Sequence, residues 1–151
     1  MKIGELARRS GVKVETLRYY EREGLLPEPE RSDGNYRVYR DAHAERLDFI
    51  RHCRALDMTL DEIRALLVCQ DHPEHPCEDA DALIEAHLGH VEQRIAQLSR
   101  LKAELERLRQ RCAGHGTAGE CGILNELAQP VGDVSRGGDA GVHVGGAHPR
   151  R

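Results

Sequence analysis

Aromatic residues are scarce in this chain and unevenly placed. The sequence contains no tryptophan, one phenylalanine and four tyrosines. All of these rings lie within the first 50 residues: Tyr19, Tyr20, Tyr36, Tyr39 and Phe49. The remainder of the chain must therefore bury aliphatic side chains, as a long helix does when it packs against a second chain.

Long hydrophobic runs are also missing. No stretch approaches the roughly 18 apolar residues of a membrane-spanning helix, and the first residues, MKIGELARRSG, lack the apolar core of a signal peptide. We expect a cytoplasmic protein with no membrane partner, whose thiols stay reduced. The five cysteines are then metal ligands, reactive thiols or core residues and not a disulfide framework.

Common catalytic motifs are absent too. The sequence has no HExxH, no CxxC and no Ser-His-Asp arrangement on a plausible scaffold. A closed thiolate site would also lack the open position that a catalytic metal needs. We therefore expect a protein that is not an enzyme.

Positive charge is concentrated at one end of the chain. The formal net charge is −4, which by itself argues against binding to nucleic acid. Residues 1–54, however, hold 12 Lys and Arg against 10 Asp and Glu, whereas residues 55–151 hold 10 against 16. The N-terminal third can therefore approach a phosphate backbone that would repel the remainder.

Two short helices are predicted at the N-terminus. Apolar residues at helical spacing predict helices over 3–10 and 14–23, which end at Gly11 and Gly24. This is the helix-turn-helix pattern, and the alternation in 35–39 predicts a small hairpin behind it. A helix-turn-helix places its second helix in the major groove. The candidate DNA contacts on helix and hairpin are Thr16, Arg18, Tyr19, Tyr20, Tyr36, Arg37 and Tyr39. The alternative is a small helical domain with exposed arginines and core tyrosines.

Three more helices follow. We expect Asp41 to cap a helix over 42–56, and Thr59 with Glu62 to form a capping box for the next. A third, over 79–111, is predicted by an a/d pattern of aliphatic residues: Ile84, Leu88, Val91, Ile95, Leu98 and Leu105. A single amphipathic helix of that length needs a partner, so the chain is expected to form a homodimer.

Cysteines flank the predicted long helix. Cys77 and Cys112 are separated by a span of roughly 50 Å if it is helical, so they cannot meet within one chain. An antiparallel pair of helices would bring Cys77 of one chain near Cys112 of the other, and Cys121 can fold back across the loop that contains Gly114, Gly116 and Gly119. Three thiolates favour soft metal ions. His115 can supply a fourth ligand, so zinc stays open, as does the alternative that these cysteines are small hydrophobic residues.

A second metal site is a weaker hypothesis. His87 and His90 lie one helical turn apart, with Asp81 before them, and the tail residues His143 and His148 can join them. Solvated histidines are the alternative that we favour, also for His72 and His75. Cys53 is expected in the core, and Cys69 is expected to be a bystander.

The N-terminal motif resembles the MerR family of regulators. The resemblance rests on IGELARRSGVKVETLRYYEREGLL followed by GNYRVY, and on CRALDMTLDEIR and GILNEL further along. It covers residues 1–128 and is strongest to the cadmium and lead sensors of the CadR and PbrR type. It implies DNA contacts by the recognition helix and wing, at Thr16, Arg18, Tyr20, Arg37 and Tyr39. It also implies a three-cysteine site for Cd(II) or Pb(II), with Hg(II) and Zn(II) as further candidates.

The resemblance implies a mechanism as well. Such dimers sit on a promoter whose −10 and −35 elements are badly spaced for RNA polymerase, and metal binding distorts the DNA so that both align. The predicted fold is mainly α with a winged helix-turn-helix head. The predicted segments are the head (1–70), a linker carrying Cys77 (71–78), the antiparallel dimerisation helix (79–111), a metal-binding loop and short helix (112–128) and a flexible tail (129–151). The remaining alternative is a cytosolic metal buffer or chaperone that does not bind DNA.

Overall fold

The computed structural model describes residues 1–131, which form two compact units, 1–87 and 88 onward. The predicted winged helix-turn-helix head is confirmed in the first unit. Its elements are α1 (Ile3–Ser10), α2 (Val14–Arg22), strands β1 (Glu30–Arg31) and β2 (Arg37–Val38), α3 (Asp41–Ala55) and α4 (Leu60–Asp71). Among the described residues no helix is long and apolar enough to cross a membrane.

The core of the head is a cluster of aliphatic side chains from α1 to α4. Leu6, Leu17, Leu47, Ile50 and Ile63 are fully buried. The turn between α1 and α2 is tight because Gly11 adopts a left-handed conformation, φ 69°, and donates its N–H to the Ala7 carbonyl. The helical periodicity of the sequence therefore predicts correctly which faces of α1 and α2 point toward the core.

The wing is a minimal antiparallel ribbon. Glu30 pairs with Val38 and Arg31 pairs with Arg37. The turn between the strands is completed by Asn35, which has a positive φ of 63°, a conformation that asparagine tolerates better than most residues. The predicted hairpin is thus present, and it is followed at once by α3.

Several arginines of the head cap helix ends. Arg51 donates to the carbonyl of Ser10 at the end of α1, and Arg64 donates from Nε to the carbonyl of Glu23 after α2, at 3.1 Å. Arg46 reaches the Leu25 carbonyl, at 3.0 Å. Arg51 and Arg64 thereby satisfy carbonyls that a helix leaves unpaired. Arg46 and Arg51 belong to the positive charge counted in residues 1–54, so part of that charge stabilises the fold.

The predicted N-terminal cap is confirmed for α4 but not for α3. The Thr59 hydroxyl accepts the Glu62 N–H while the Glu62 carboxylate accepts the Thr59 N–H, which confirms the capping box of α4. The prediction that Asp41 caps α3 is wrong by one residue. Asp41 is the first helical residue, its carboxylate pairs with Arg9, and the His43 ring accepts the N–H of Arg40.

The long helix α5 runs from Cys77 to Arg109. It begins two residues earlier than predicted, directly after Pro76, because proline suits the start of a helix and the chain behind it is broken by Pro73. Cys77 is therefore the first residue of the helix and not part of a linker. Five of the six predicted a/d residues, all but the half-buried Leu98, form an aliphatic stripe that is exposed in the single chain, from 37% at Val91 to 58% at Ile95.

His87 of α5 is buried against the junction of α3 and α4. Its Nε2 lies 2.8 Å from the Leu56 carbonyl oxygen, and its Nδ1 lies 2.9 Å from the Glu62 carboxylate, so both ring N–H groups donate when the imidazole is protonated. The hydrogen bond to Leu56 and the charge of Glu62 raise the pKa of His87 against the opposing effect of burial. These contacts explain why the first compact unit extends to His87 and not to the predicted boundary at residue 70.

The His87 contacts predict a pH-dependent stability. Because the folded pKa is raised, the contribution of His87 is fully present below its unfolded value of about 6.5 and is lost as the pH rises through the folded value. We expect the free energy of unfolding of the native chain to fall more steeply above about pH 6.5 than that of His87→Gln. Urea titrations at fixed protein concentration, with a chelator present, measure this difference. Parallel pH profiles for the two proteins would contradict it.

Candidate DNA interface and metal centre

The recognition helix α2 presents only part of its predicted set to solvent. Arg18 and Tyr19 are exposed, and Thr16 is half-buried. The Arg22 guanidinium lies over the Tyr19 ring, 5.7 Å from its centroid. Tyr20, by contrast, is buried in the core. The predicted DNA contact of Tyr20 stays a prediction, and the burial of Tyr20 beside Leu17 argues against it.

The wing likewise exposes some of its predicted DNA contacts and buries another. Tyr36 is 64% exposed at the tip, where Lys2 lies 5.3 Å from its ring centroid, and the Arg37 side chain is 43% exposed. Tyr39 is 1% exposed. The predicted DNA contact of Tyr39 also stays a prediction, and its burial argues against it: the ring packs in the core, and the backbone N–H donates to the carbonyl of Met1 at 2.8 Å.

Glu21 joins the recognition helix to the wing, a contact that the sequence reasoning missed. It accepts the Tyr39 hydroxyl through one oxygen and pairs with Arg37 through the other, at 3.0 Å. Burial, and next the contact with Glu21, raise the pKa of Tyr39 to about 12. The available signal was a carboxylate on the same helical face as Arg18, three residues away.

The three cysteines of the predicted metal site lie at the two ends of α5. Cys77 is its exposed first residue, and the exposed Cys112 follows its C-terminus. Cys121 is half-buried immediately before the short helix α6 (Gly122–Leu127), which follows a turn of 3₁₀ helix (Ala118–Glu120). A helix of 33 residues is about 50 Å long.

The loop between Cys112 and Cys121 folds back on the end of α5. Gly114 and Gly116 have positive φ angles of 81° and 106°, and the Gly114 N–H donates to the Cys112 sulfur at 3.4 Å. On the far side, Gly122 packs so tightly that a Cβ atom there would lie 2.3 Å from the Arg111 carbonyl oxygen. Cys112 and Cys121 are the sequence neighbours of the two residues in this contact.

Ion pairs hold α6 in place. Arg107 donates to both carboxylate oxygens of Glu126, at 3.1 and 2.9 Å, and Arg111 lies 3.7 Å from the same carboxylate. The Arg107 contact lowers the pKa of Glu126. The end of α5, the loop and α6 thus form one local unit around two cysteines.

Among the other candidate ligands, His87 and His90 form a group with Glu62, and their ligand atoms all lie within 4.8 Å of one another. Cys53 is in the core as expected, and burial raises the pKa of its thiol. Cys69 is half-buried near the end of α4, and the rings of His72 and His75 stack 5.1 Å apart. Asp81 and His90 are exposed on α5, and both ring nitrogens of His87 have partners. His143 and His148 lie outside the described residues, as does the tail from residue 132, so the second site stays a prediction.

Comparison with known proteins agrees with this arrangement. The sequence matches the profile of the MerR HTH family regulatory proteins over residues 1–68 and that of the MerR DNA-binding region over 44–108. The HTH-type transcriptional regulator ZntR of Escherichia coli K12 is 37% identical over 138 residues, which cover 90% of this chain and 98% of that protein.

Two solved structures are similar over most of their length. The transcription regulator PbrR691 from Ralstonia metallidurans CH34, in complex with lead(II), is 52% identical with a TM-score of 0.77, over 85% of this chain and 99% of that chain. The regulator MerR from Bacillus megaterium MB1, in complex with mercury(II), is 35% identical with a TM-score of 0.68, over 85% and 100%. With its wing, recognition helix and long helix, the chain belongs to the MerR family and is a transcription regulator, not an enzyme.

Proposed function

We propose that this chain is a homodimeric, cytoplasmic metal sensor that activates transcription from a promoter to which it is bound. The inducer is a soft divalent ion, Cd(II) or Pb(II), with Hg(II) and Zn(II) as further candidates. The ligands are Cys77 of one subunit and Cys112 and Cys121 of the other. The observation that carries the proposal is the closure of the loop, which brings Cys112 and Cys121 to one end of a helix that begins with Cys77.

The donor set suits a soft ion. Thiolates prefer such metals to Mg²⁺ or Ca²⁺, and all three cysteines are free thiols. A tetrahedral zinc site would need a fourth ligand. His115 lies in the same loop. Its Nδ1 is hydrogen-bonded to the carbonyl of Ala113, at 2.9 Å, so its Nε2 remains available as a metal ligand. The lead and mercury complexes of the two similar regulators support the same class of ion.

The exposed stripe on α5 supports the dimer. An aliphatic seam at heptad spacing is stable only against a partner. An antiparallel arrangement places the start of each helix beside the end of the other, and this is the arrangement that can unite the three cysteines. Each site then joins two subunits.

This geometry explains how a signal can reach the DNA. A bound metal supplies coordination between the subunits, so its binding free energy favours one relative placement of the heads. Arg18 and Tyr19 of each α2, with Arg37 of the wing, hold the DNA in both states. A shift of the heads then bends and untwists the promoter so that RNA polymerase meets aligned elements. We propose genes for metal resistance or efflux as the targets.

A metal buffer that does not bind DNA is the alternative. The decisive experiment enriches a duplex from a random-sequence library with the full chain, follows binding as a function of salt, and then places that duplex in a transcription assay with a panel of metals. We expect transcription to rise with a soft ion while occupancy of the duplex stays high. A chain that binds metal but enriches no duplex would establish the buffer.

Arg18→Ala tests the DNA interface. We expect weaker binding of the enriched duplex by about 1–3 kcal/mol, because one base or phosphate contact is lost. Dimerisation and metal binding should not change. Arg100→Ala, at an exposed position of α5, serves as the matched control. Equal affinities of native chain and Arg18→Ala at fixed salt would refute the assignment.

Gly122→Ala tests the closure of the metal loop. The added methyl group would meet the Arg111 carbonyl at 2.3 Å, so α6 must shift and the affinity for Cd(II) should fall by about tenfold, as when a supporting contact of a metal site is lost. Gly119→Ala is the control in the same loop, because its methyl group would lie 3.8 Å from the nearest atom. Charge-transfer absorbance during titration against a competing chelator measures both. Equal affinities would show that α6 docking does not matter.

Mixing two inactive proteins tests the cross-subunit site. Cys77→Ser and the double variant Cys112→Ser/Cys121→Ser each lack a complete site as homodimers, because serine is a poor ligand for soft metals. A heterodimer of the two has one end with all three cysteines. Re-formed mixtures should therefore regain one tight site per heterodimer, visible as thiolate-to-metal absorbance. If the ligands met within one chain, mixing would restore nothing.

A further inference from the structure

The side chain of Glu21 occupies the junction between the recognition helix and the wing. It is 10% exposed, although it is a carboxylate on a face that includes exposed arginines. Its contacts run in series from the core outward: the buried Tyr39 hydroxyl donates to one oxygen, and the other oxygen pairs with the half-exposed Arg37. A buried carboxylate is costly unless it is paired in this way, and this pairing is directed toward the surface.

An open cavity of about 380 Å³ lies beside this carboxylate. It is lined by Ile3, Arg18, Glu21, Arg22 and Arg37. Arg18 and Arg22 stand one turn apart on α2, and Arg37 comes from the wing. Three guanidinium groups and one carboxylate leave a net positive charge around a space that is large enough for a phosphodiester.

We infer that Glu21 is a positioning residue for DNA binding: it fixes Arg37 against α2, so that Arg18, Arg22 and Arg37 together receive one backbone phosphate that spans helix and wing. The inference rests on the proposed function and adds Glu21 and Arg22 to its interface. Arg22 then contributes a phosphate contact and not sequence readout.

The physical reason is the flexibility of arginine. A free arginine side chain loses considerable rotamer entropy when it is held in one place, and the two-stranded wing offers little packing to hold it. The planar guanidinium group can pair with a carboxylate through one edge and keep other N–H groups for a phosphate. Because Tyr39 anchors Glu21 in the core, Arg37 is ordered before DNA arrives, and less affinity is lost on binding.

Glu21→Gln tests the inference with the full chain and the enriched duplex. Glutamine keeps the size and still accepts the Tyr39 hydroxyl, but it no longer pairs with Arg37. We expect the affinity for the duplex to fall about tenfold. The slope of log affinity against log salt concentration should become shallower by about one, as for loss of one phosphate contact. Glu45→Gln, an exposed carboxylate on α3, is the control for the change in charge and should bind as the native chain does.

The double variant Glu21→Gln/Arg37→Ala separates a positioning role from other roles. If Glu21 acts through Arg37, the double variant binds no more weakly than Arg37→Ala alone. Additive losses, or a lower melting temperature with an unchanged salt slope, would show a structural role and overturn the inference. Tighter binding by Glu21→Gln would show that Glu21 repels DNA, which also overturns it. Failure of the native chain to enrich any duplex would instead refute the proposed function.

Discussion

The length of α5 is the constraint on which the proposed sensor depends. A continuous helix from Cys77 to Arg109 keeps its ends about 50 Å apart, and no loop closure within one chain can bring a thiol at its start to the thiols beyond its end. The same helix carries an exposed aliphatic stripe that requires a second chain. In the proposed sensor, dimerisation and assembly of the metal site are therefore coupled, and a metal that bridges the two chains would act on their relative placement.

Closure of the loop at the end of α5 places the other two cysteines, Cys112 and Cys121, at the same end of the helix. A flexible loop could hold Cys121 anywhere, and its ordering would oppose metal binding. Here the ion pairs of Glu126 and the close contact of Gly122 dock α6 on the end of α5. Two of the three proposed ligands, Cys112 and Cys121, thus flank a contact that does not involve a metal, and in the proposal the third comes from the partner chain.

Charge in the head serves two purposes that a count of residues does not distinguish. Arg51 and Arg64 donate to carbonyls at the ends of α1 and α2, and Arg46 donates to the Leu25 carbonyl in the loop beyond α2. Arg18 and Arg37 remain at the surface. Most cations of residues 1–54 are exposed, and Arg18, Arg22 and Arg37 among them line one cavity, so the modest positive balance is compatible with DNA binding.

The sequence by itself determined the features that depend on neighbouring residues: the helix-turn-helix with its Gly11 turn, the capping box of Thr59 and Glu62, and the aliphatic stripe of α5. These signals are local or periodic, so they can be recognised in the sequence alone. Only the tertiary structure decided that Tyr20 and Tyr39 face the core, that Glu21 joins wing and helix, that His87 belongs to the head, and that Gly122 meets Arg111. Most of these outcomes join residues far apart in sequence, whose side chains compete for the same interior space, and neither residue type nor spacing specifies which of them is enclosed.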